Sequence, residues 1–184
     1  MEHSEILASE LLKSLDGWDM IAEHHTAKTP ERFVKMLRDM TTREDFNFTT
    51  FPNEGIDQMI TLHPIPYYAL CAHHIVPFFG NAYIGYIPDK SMAGLSKFPR
   101  AVRYVAKGFW VQEELTNSIA DYLEKHLKPL GLAVVLDGEH MCMSMRGVMQ
   151  PNVVTTTSSM RGVFLNPRTG ARNEFLSFVQ GNRK

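Results

Sequence analysis

The sequence predicts an α+β fold with a mainly antiparallel sheet behind an N-terminal helical arm. Three observations carry that reading. The first 45 residues hold apolar side chains at helical spacing, the next stretch holds short aromatic and β-branched runs cut by prolines, and a helix pair separates those runs from a second set of the same kind. Strands and helices are segregated along the chain, which is the signature of α+β architecture.

The N-terminal arm comes first. Leu7, Leu11 and Leu15 are spaced by four; Phe33, Leu37 and Met40 make a second stripe after Thr29-Pro30, an N-cap followed by proline at the first helical position. Between about 44 and 57 the chain turns polar and irregular around Pro52, Asn53 and Gly55, marking a connector. The domain division predicted is therefore an arm with its connector at 1–55 and a main domain at 56–184. Strands are predicted at Met59–Leu62, Tyr67–Leu70 and Asn81–Ile87, punctuated by Pro64, Pro66, Pro77 and Pro88. A helix with Ser96 as N-cap carries Phe98, Ala101, Val102 and Val105 on one face, with Pro99 in its first turn, where a missing N–H costs little. A second helix carries Val111, Leu115, Ile119 and Leu123 and ends by Pro129 and Gly131. Strands resume at Leu132–Leu136, Glu139–Arg146 and Val153–Ser159, and a short polar tail closes the chain. A sheet covered by two helices leaves one face and two edges to dispose of, so oligomerisation is expected.

Composition narrows the function. The chain has 184 residues, 20 acidic and 19 basic side chains, a formal charge of −1 and 44% hydrophobic content. A chain of this size buries roughly 70% of its extended surface and needs no disulfide staples. Its apolar runs fall far short of the ~18 residues a membrane span requires, and Glu2, Glu5, Glu10 and Lys13 interrupt the first leucines, so neither a span nor a signal peptide is expected. A cytoplasmic protein is the expectation. Near-neutral charge excludes a general nucleic-acid binder, whose phosphate contacts need a basic excess.

Both cysteines lie in suggestive surroundings. Cys71-Ala72-His73-His74 sets a thiol and an imidazole three residues apart, a spacing that can clamp one metal ion; alone it also fits a buried cysteine beside strand-end histidines. Cys142 lies in Glu139-His140-Met141-Cys142-Met143-Ser144-Met145-Arg146, where period-two alternation predicts His140, Cys142, Ser144 and Arg146 on one strand face and three methionines on the other. Convergence of Cys71, His74 and Cys142 would make a Cys₂His set with a vacant position, the pattern of a catalytic zinc, and water there would have its pKa lowered toward neutrality. A Cys71–Cys142 disulfide is the competing arrangement.

These residues resemble the zinc-dependent GTP cyclohydrolase I family. The run Cys71-Ala72-His73-His74-Ile75-Val76-Pro77-Phe78-Phe79-Gly80 resembles its C-E-H-H-x-x-P-F-x-G signature. Gly94-Leu95-Ser96-Lys97 with Arg100, Val111-Gln112-Glu113 with Leu115-Thr116, His140-Met141-Cys142-Met143 with Arg146-Gly147-Val148, and Thr155-x-Thr157-Ser158 come next, in order. Thr29-Pro30-Glu31-Arg32 and Arg172-Asn173-Glu174-Phe175-Leu176 extend the likeness to both ends. The resemblance implies a tunnelling-fold subunit, a homodecamer of two stacked five-membered rings with active sites shared between subunits, Zn2+ as cofactor and GTP as substrate. The implied reaction opens the guanine imidazole ring at C8 and re-closes to 7,8-dihydroneopterin triphosphate with loss of formate.

The implied roles fit the chemistry. Cys71, His74 and Cys142 would hold the zinc, and His73 would be the general acid that protonates N7. Glu113, with Gln112 beside it, matches the base-binding pair, a carboxylate being able to accept from N1–H and the exocyclic amine together. Ser96, Lys97 and Arg100 would meet the triphosphate at a helix start. Arg32, Arg146 and the catalytic His140 complete the phosphate and ribose set by resemblance. Three departures stand out: Ala72 stands where the family has glutamate, Glu114 where it commonly has arginine, and Lys107-Gly108-Phe109-Trp110 with Val153-Val154 also differ from the usual pattern; the first two bear on substrate choice. Ala72 and Glu114 motivate one rival, a related tunnelling-fold enzyme acting on another purine or pterin triphosphate. The other rival is a catalytically silent zinc-binding assembly.

Overall fold

A computed structural model of the chain describes residues 2–181. The chain divides into two compact units, with Thr42 ending the first and Arg43 beginning the second.

The first unit is helical. Helix α1 (His3–Lys13) opens with a capping box in which the Glu5 carboxylate accepts the Glu2 N–H at 3.0 Å. A 3₁₀ turn at Trp18–Met20 and the short α2 (Glu23–Thr26) lead to α3 (Thr29–Thr41). Thr29 is the first helical residue and not the cap, which is Lys28; Pro30 lies in the first turn as expected. Ala8 of α1 and Val34 of α3 are buried. Arg38 pairs with Glu2 across the unit, and Lys35 with Asp39 at 2.6 Å. Leu7, Leu11 and Leu15 form the expected stripe but stay exposed, because the buried side of α1 runs through Ala8.

The second unit contains β1 (Thr50–Pro52), β2 (Ile60–Cys71), β3 (Pro77–Ile87), β4 (Ser91–Ala93), α4 (Lys97–Ala106), β5 (Phe109–Trp110), α5 (Gln112–Leu127), β6 (Gly131–His140), α6 (Met141–Ser144), β7 (Val154–Gly162) and α7 (Ala171–Gly181). The main sheet runs β5-β2-β3-β6-β7; its four long strands are antiparallel, and only the two-residue β5 runs parallel to its neighbour. This is the predicted order of strand pair, helix pair, strand pair around a mainly antiparallel sheet. The runs Met59–Leu62 and Tyr67–Leu70 prove to be one strand, with a register shift between Leu62 and Ile65 where Pro64 cannot donate to the ladder.

Phe98, Ala101, Val102 and Val105 of α4, with Leu115, Ile119 and Leu123 of α5, pack on one sheet face against Ile84, Val134 and Leu136. Tyr83, Ala133, Val135 and Met160 face the other way, under Phe164 and α7. The expected polar tail is thus largely that helix: Ala171, Phe175 and Val179, four residues apart, are its buried stripe. The predicted connector belongs to this unit. Phe48 packs on His126 with ring centroids 5.1 Å apart, Phe46 meets Tyr104 at 5.8 Å, and Arg43 donates to the Lys107 carbonyl at 3.2 Å at the end of α4.

Two further expectations are corrected. The strand predicted over 139–146 stops at His140, the last residue of β6, and α6 turns the chain. The Ser144 hydroxyl reaches back to the His140 carbonyl at 3.2 Å and the Glu139 carboxylate at 2.8 Å, and the Met145 N–H donates to Met141 O at 3.1 Å, so helical bonds replace ladder bonds. Ser96 precedes α4 in helical geometry with no side-chain cap bond; α4 starts on a backbone turn instead, the Lys97 N–H donating to Gly94 O at 2.8 Å.

Candidate active site

Cys71 is the last residue of β2 and is buried, while Ala72, His73 and His74 lie exposed in the turn beyond it. The turn is closed twice: the Ile75 N–H donates to Cys71 O and the Cys71 N–H to Val76 O, each at 2.9 Å. Ile75 takes φ 55°, the left-handed region that a β-branched residue enters only with strain. The Ala72 N–H donates to Trp110 O at 3.0 Å and ties the turn to β5. The Cys71 Sγ lies 3.9 Å from His73 Nδ1 and 3.8 Å from His74 Nδ1.

The second sulfur arrives from two strands away. Register pairs Phe78 of β3 with His140 of β6, bringing the end of β6 beside the end of β2, and α6 then folds Cys142 inward. One donor atom from each of Cys71, His74 and Cys142 lies within 4.8 Å of the others, and both cysteines are free thiols. The disulfide alternative is therefore not what the structure has. Two sulfurs and one imidazole suit a borderline-soft divalent ion and leave a tetrahedral site one position open, so the donor set fits a catalytic metal. Burial, and then the neighbouring Cys71 sulfur, push the Cys142 thiol up, and Arg146 opposes them. A metal entering here must displace that proton.

His140 is held on two sides. Its ring stacks on Phe78 with centroids 4.6 Å apart and planes 1° from parallel. Its Nε2 lies 2.8 Å from the Oε1 of Gln112, a residue only 1% exposed. The Gln112 Nε2 donates to Thr155 O at 2.9 Å, Thr157 Oγ1 at 3.0 Å and Leu136 O at 3.2 Å, and the Thr116 hydroxyl donates to Gln112 O at 2.7 Å. This buried network needs Gly138: a Cβ there would collide with Gln112 Oε1 and come within 2.7 Å of the Tyr67 hydroxyl. Burial lowers the pKa of His140 below its ordinary value, with the Glu113 carboxylate opposing.

The remaining predicted residues are spread more widely. Glu113 and Glu114 are exposed in the first turn of α5, and Arg146 is exposed just beyond α6. Lys97 donates from Nζ to Asn47 O at 2.9 Å, and Ser96 is exposed beside it. Arg100 lines a cavity of about 210 Å³ with Glu44, Phe46, Arg103, Tyr104 and Lys107. Arg32 is exposed on α3 in the first unit. A larger cavity of about 640 Å³, lined by Tyr68, Phe79, Asn81, Asp137 and Glu139 among others, contains none of the predicted site residues. Sequence reasoning missed the Phe78 stack, the Thr116 and Thr157 hydroxyls behind Gln112, and the Glu139–Ser144 clasp on α6. A glycine inside a strand two residues before a histidine is the one signal that marks the close approach.

Comparison with known proteins agrees with this geometry. The profile of the family described as GTP cyclohydrolase I matches residues 6–180. The GTP cyclohydrolase 1 of Aquifex aeolicus (strain VF5) is 48% identical over 155 residues, covering 84% of each chain. That of Sulfurihydrogenibium sp. (strain YO3AOP1) is 44% identical over 157 residues, covering 85% of this chain and 83% of its own. Among solved structures, the archaeosine synthase QueF-Like in the apo form superposes with a TM-score of 0.46 at 14% identity, covering 56% of this chain and 93% of that one, a likeness too slight to argue from. With its sulfur and imidazole donors gathered at one sheet end and its sequence matched almost from end to end, the chain belongs to the GTP cyclohydrolase I family.

Proposed function

We propose that this chain is a zinc-dependent GTP cyclohydrolase that opens the guanine imidazole ring of GTP at C8, consuming water and yielding formate and 7,8-dihydroneopterin triphosphate. Family membership supports the reaction class, and one observation carries the site: Cys71, His74 and Cys142 gathered within 4.8 Å, with His73 alongside. Zinc held by those three residues would supply Lewis-acid activation of water for attack on C8.

The chain's own groups do the rest. His73, on an exposed turn beside the ligands, donates a proton to N7 and makes C8 electrophilic. The Glu113 carboxylate accepts from N1–H and the exocyclic amine. Ser96, Lys97 and Arg100 at the start of α4, with Arg146, hold the triphosphate and ribose. His140 manages protons on the sugar side while Phe78 keeps its ring in plane.

Metal-loaded protein incubated with GTP should release formate and develop a pterin chromophore, and His73→Ala should abolish both while leaving GTP bound. Tight GTP binding without formate in the unaltered protein would instead favour the silent assembly. A homodecamer with sites shared between subunits is part of the same proposal. The unpaired long edge at β7, bordered by exposed Val153 and Val154, suits pairing with another copy, and sedimentation gives the subunit number. A cytoplasmic location is likewise proposed; among the described residues no helix is long and apolar enough to cross a membrane.

A further inference from the structure

We propose that Gln112 is a positioning residue that acts through His140, and that its side chain does not contact the guanine base. The inference deepens the function proposed above and rests on it. The resemblance places Gln112 in a base-binding pair with Glu113, yet the two neighbours are built differently: Glu113 is exposed, whereas Gln112 is 1% exposed and points into the protein.

The hydrogen bonds fix which end of the amide points where. Two backbone carbonyls, Thr155 O and Leu136 O, lie 2.9 and 3.2 Å from one end of the Gln112 amide. Carbonyls only accept, so that end is the NH₂ group and the end facing His140 is the oxygen. An amide oxygen only accepts as well. The His140 Nε2, 2.8 Å away, must therefore carry a hydrogen, and this holds whether the ring is neutral or charged. In the neutral ring Nδ1 is then the nitrogen with the lone pair. With Phe78 fixing the plane of the ring and Gln112 its rotation, one tautomer in one orientation is selected.

The register supports a dedicated cradle. Gln112 reaches His140 across Gly138, where any side chain would displace the amide, and Thr157, which accepts from the amide, lies 2.6 Å from the Thr116 hydroxyl. The Gln112 amide nitrogen is thereby committed to three acceptors within the chain, and its oxygen, in a side chain only 1% exposed, already accepts from His140.

Steady-state kinetics with GTP and with inosine triphosphate, which lacks the exocyclic amine, test this. Gln112→Met should lower kcat by about 100-fold, the cost of a displaced catalytic group, while KM and the GTP-to-ITP preference stay within about twofold. In a His140→Ala background the same substitution should change kcat by less than about threefold, since it has nothing left to position. Nitrogen-15 spectra of histidine-labelled protein, recorded at a pH where the ring is neutral, should show the proton on Nε2 in the wild type and a tautomer mixture in the variant. If Gln112→Met does not fold, Thr157→Val, which removes one of the three acceptors of the amide, should show the same pattern on a smaller scale. A changed GTP-to-ITP preference, or a loss fully additive with His140→Ala, would overturn the proposal. Absence of formate release by the metal-loaded wild type would instead sink the proposed function, and the nitrogen spectra would still report on the tautomer.

Discussion

Cys71 and Cys142 reach the same few ångströms by opposite constructions. Cys71 ends a buried strand, and the turn after it is forced around a strained Ile75, so that the histidines project outward. Cys142 sits in a single helical turn held by side-chain bonds, with Ser144 clasped by Glu139 and by the His140 carbonyl. One candidate ligand is placed by the buried end of a long strand and the other by side-chain hydrogen bonds on a single helical turn. The two halves of the candidate site thus differ in what fixes them, and residues 140–146 are the half that depends on side-chain hydrogen bonds.

Removing either sulfur tests what the two halves share. Cys71→Ala and Cys142→Ala should each abolish retention of metal after dialysis, read by elemental analysis, and abolish turnover. Their circular dichroism should remain close to wild type, because a catalytic metal need not hold the fold together. The same holds for chelator treatment of the intact protein; global unfolding would show that the two segments depend on the ion for their shape. Gly138→Ala comes next: the collision with Gln112 and Tyr67 should cost about 1–3 kcal/mol in denaturant unfolding and disorder the His140 side of the site.

Ser144→Ala isolates the clasp. Its loss should weaken metal affinity by about tenfold, measured by competition with a chromophoric chelator. Unchanged affinity would mean that α6 is rigid without it. On the other side, Ile75→Asn should stabilise the protein by about 1 kcal/mol, since asparagine tolerates the left-handed region and the Ile75 side chain is half exposed. The smallest effect concerns alkaline pH. Burial, reinforced by the Asp137 charge, raises the pKa of Tyr67 above its ordinary 10.0. The folded state then keeps a proton that the unfolded chain gives up, so stability should be level below pH 10 and fall as pH rises past it, measured by urea unfolding at stepped pH.

The two halves also differ in how openly the sequence announces them. The ligand spacing in Cys71–His74 and the turn at its end are legible because a short-range motif carries its geometry locally. The segment around Cys142 reads as a strand and is a helical turn: methionines alternate there with polar residues, and period-two alternation over so few residues is equally compatible with a turn stabilised by a serine hydroxyl. The convergence of the three donors is legible all the same, since it depends on residue chemistry and not on the local conformation. The helix pair shows in its apolar periodicity, whereas α7 does not, because its buried stripe of Ala171, Phe175 and Val179 begins with a small alanine among Arg172, Asn173 and Glu174. Gln112 illustrates the remaining limit. A glutamine at the start of a helix reads as surface, and its burial comes from a strand glycine and from Thr155 and Thr157 far away in the chain, which no local pattern reveals.

The aromatic grip of Phe46 and Phe48, with the guanidinium of Arg43 on the last carbonyls of α4, has a practical consequence. A protease that nicks the backbone beside Thr42 would leave the sheet and its helices with a new chain end that is already fastened down. Limited digestion should therefore leave a trimmed fragment that still melts cooperatively.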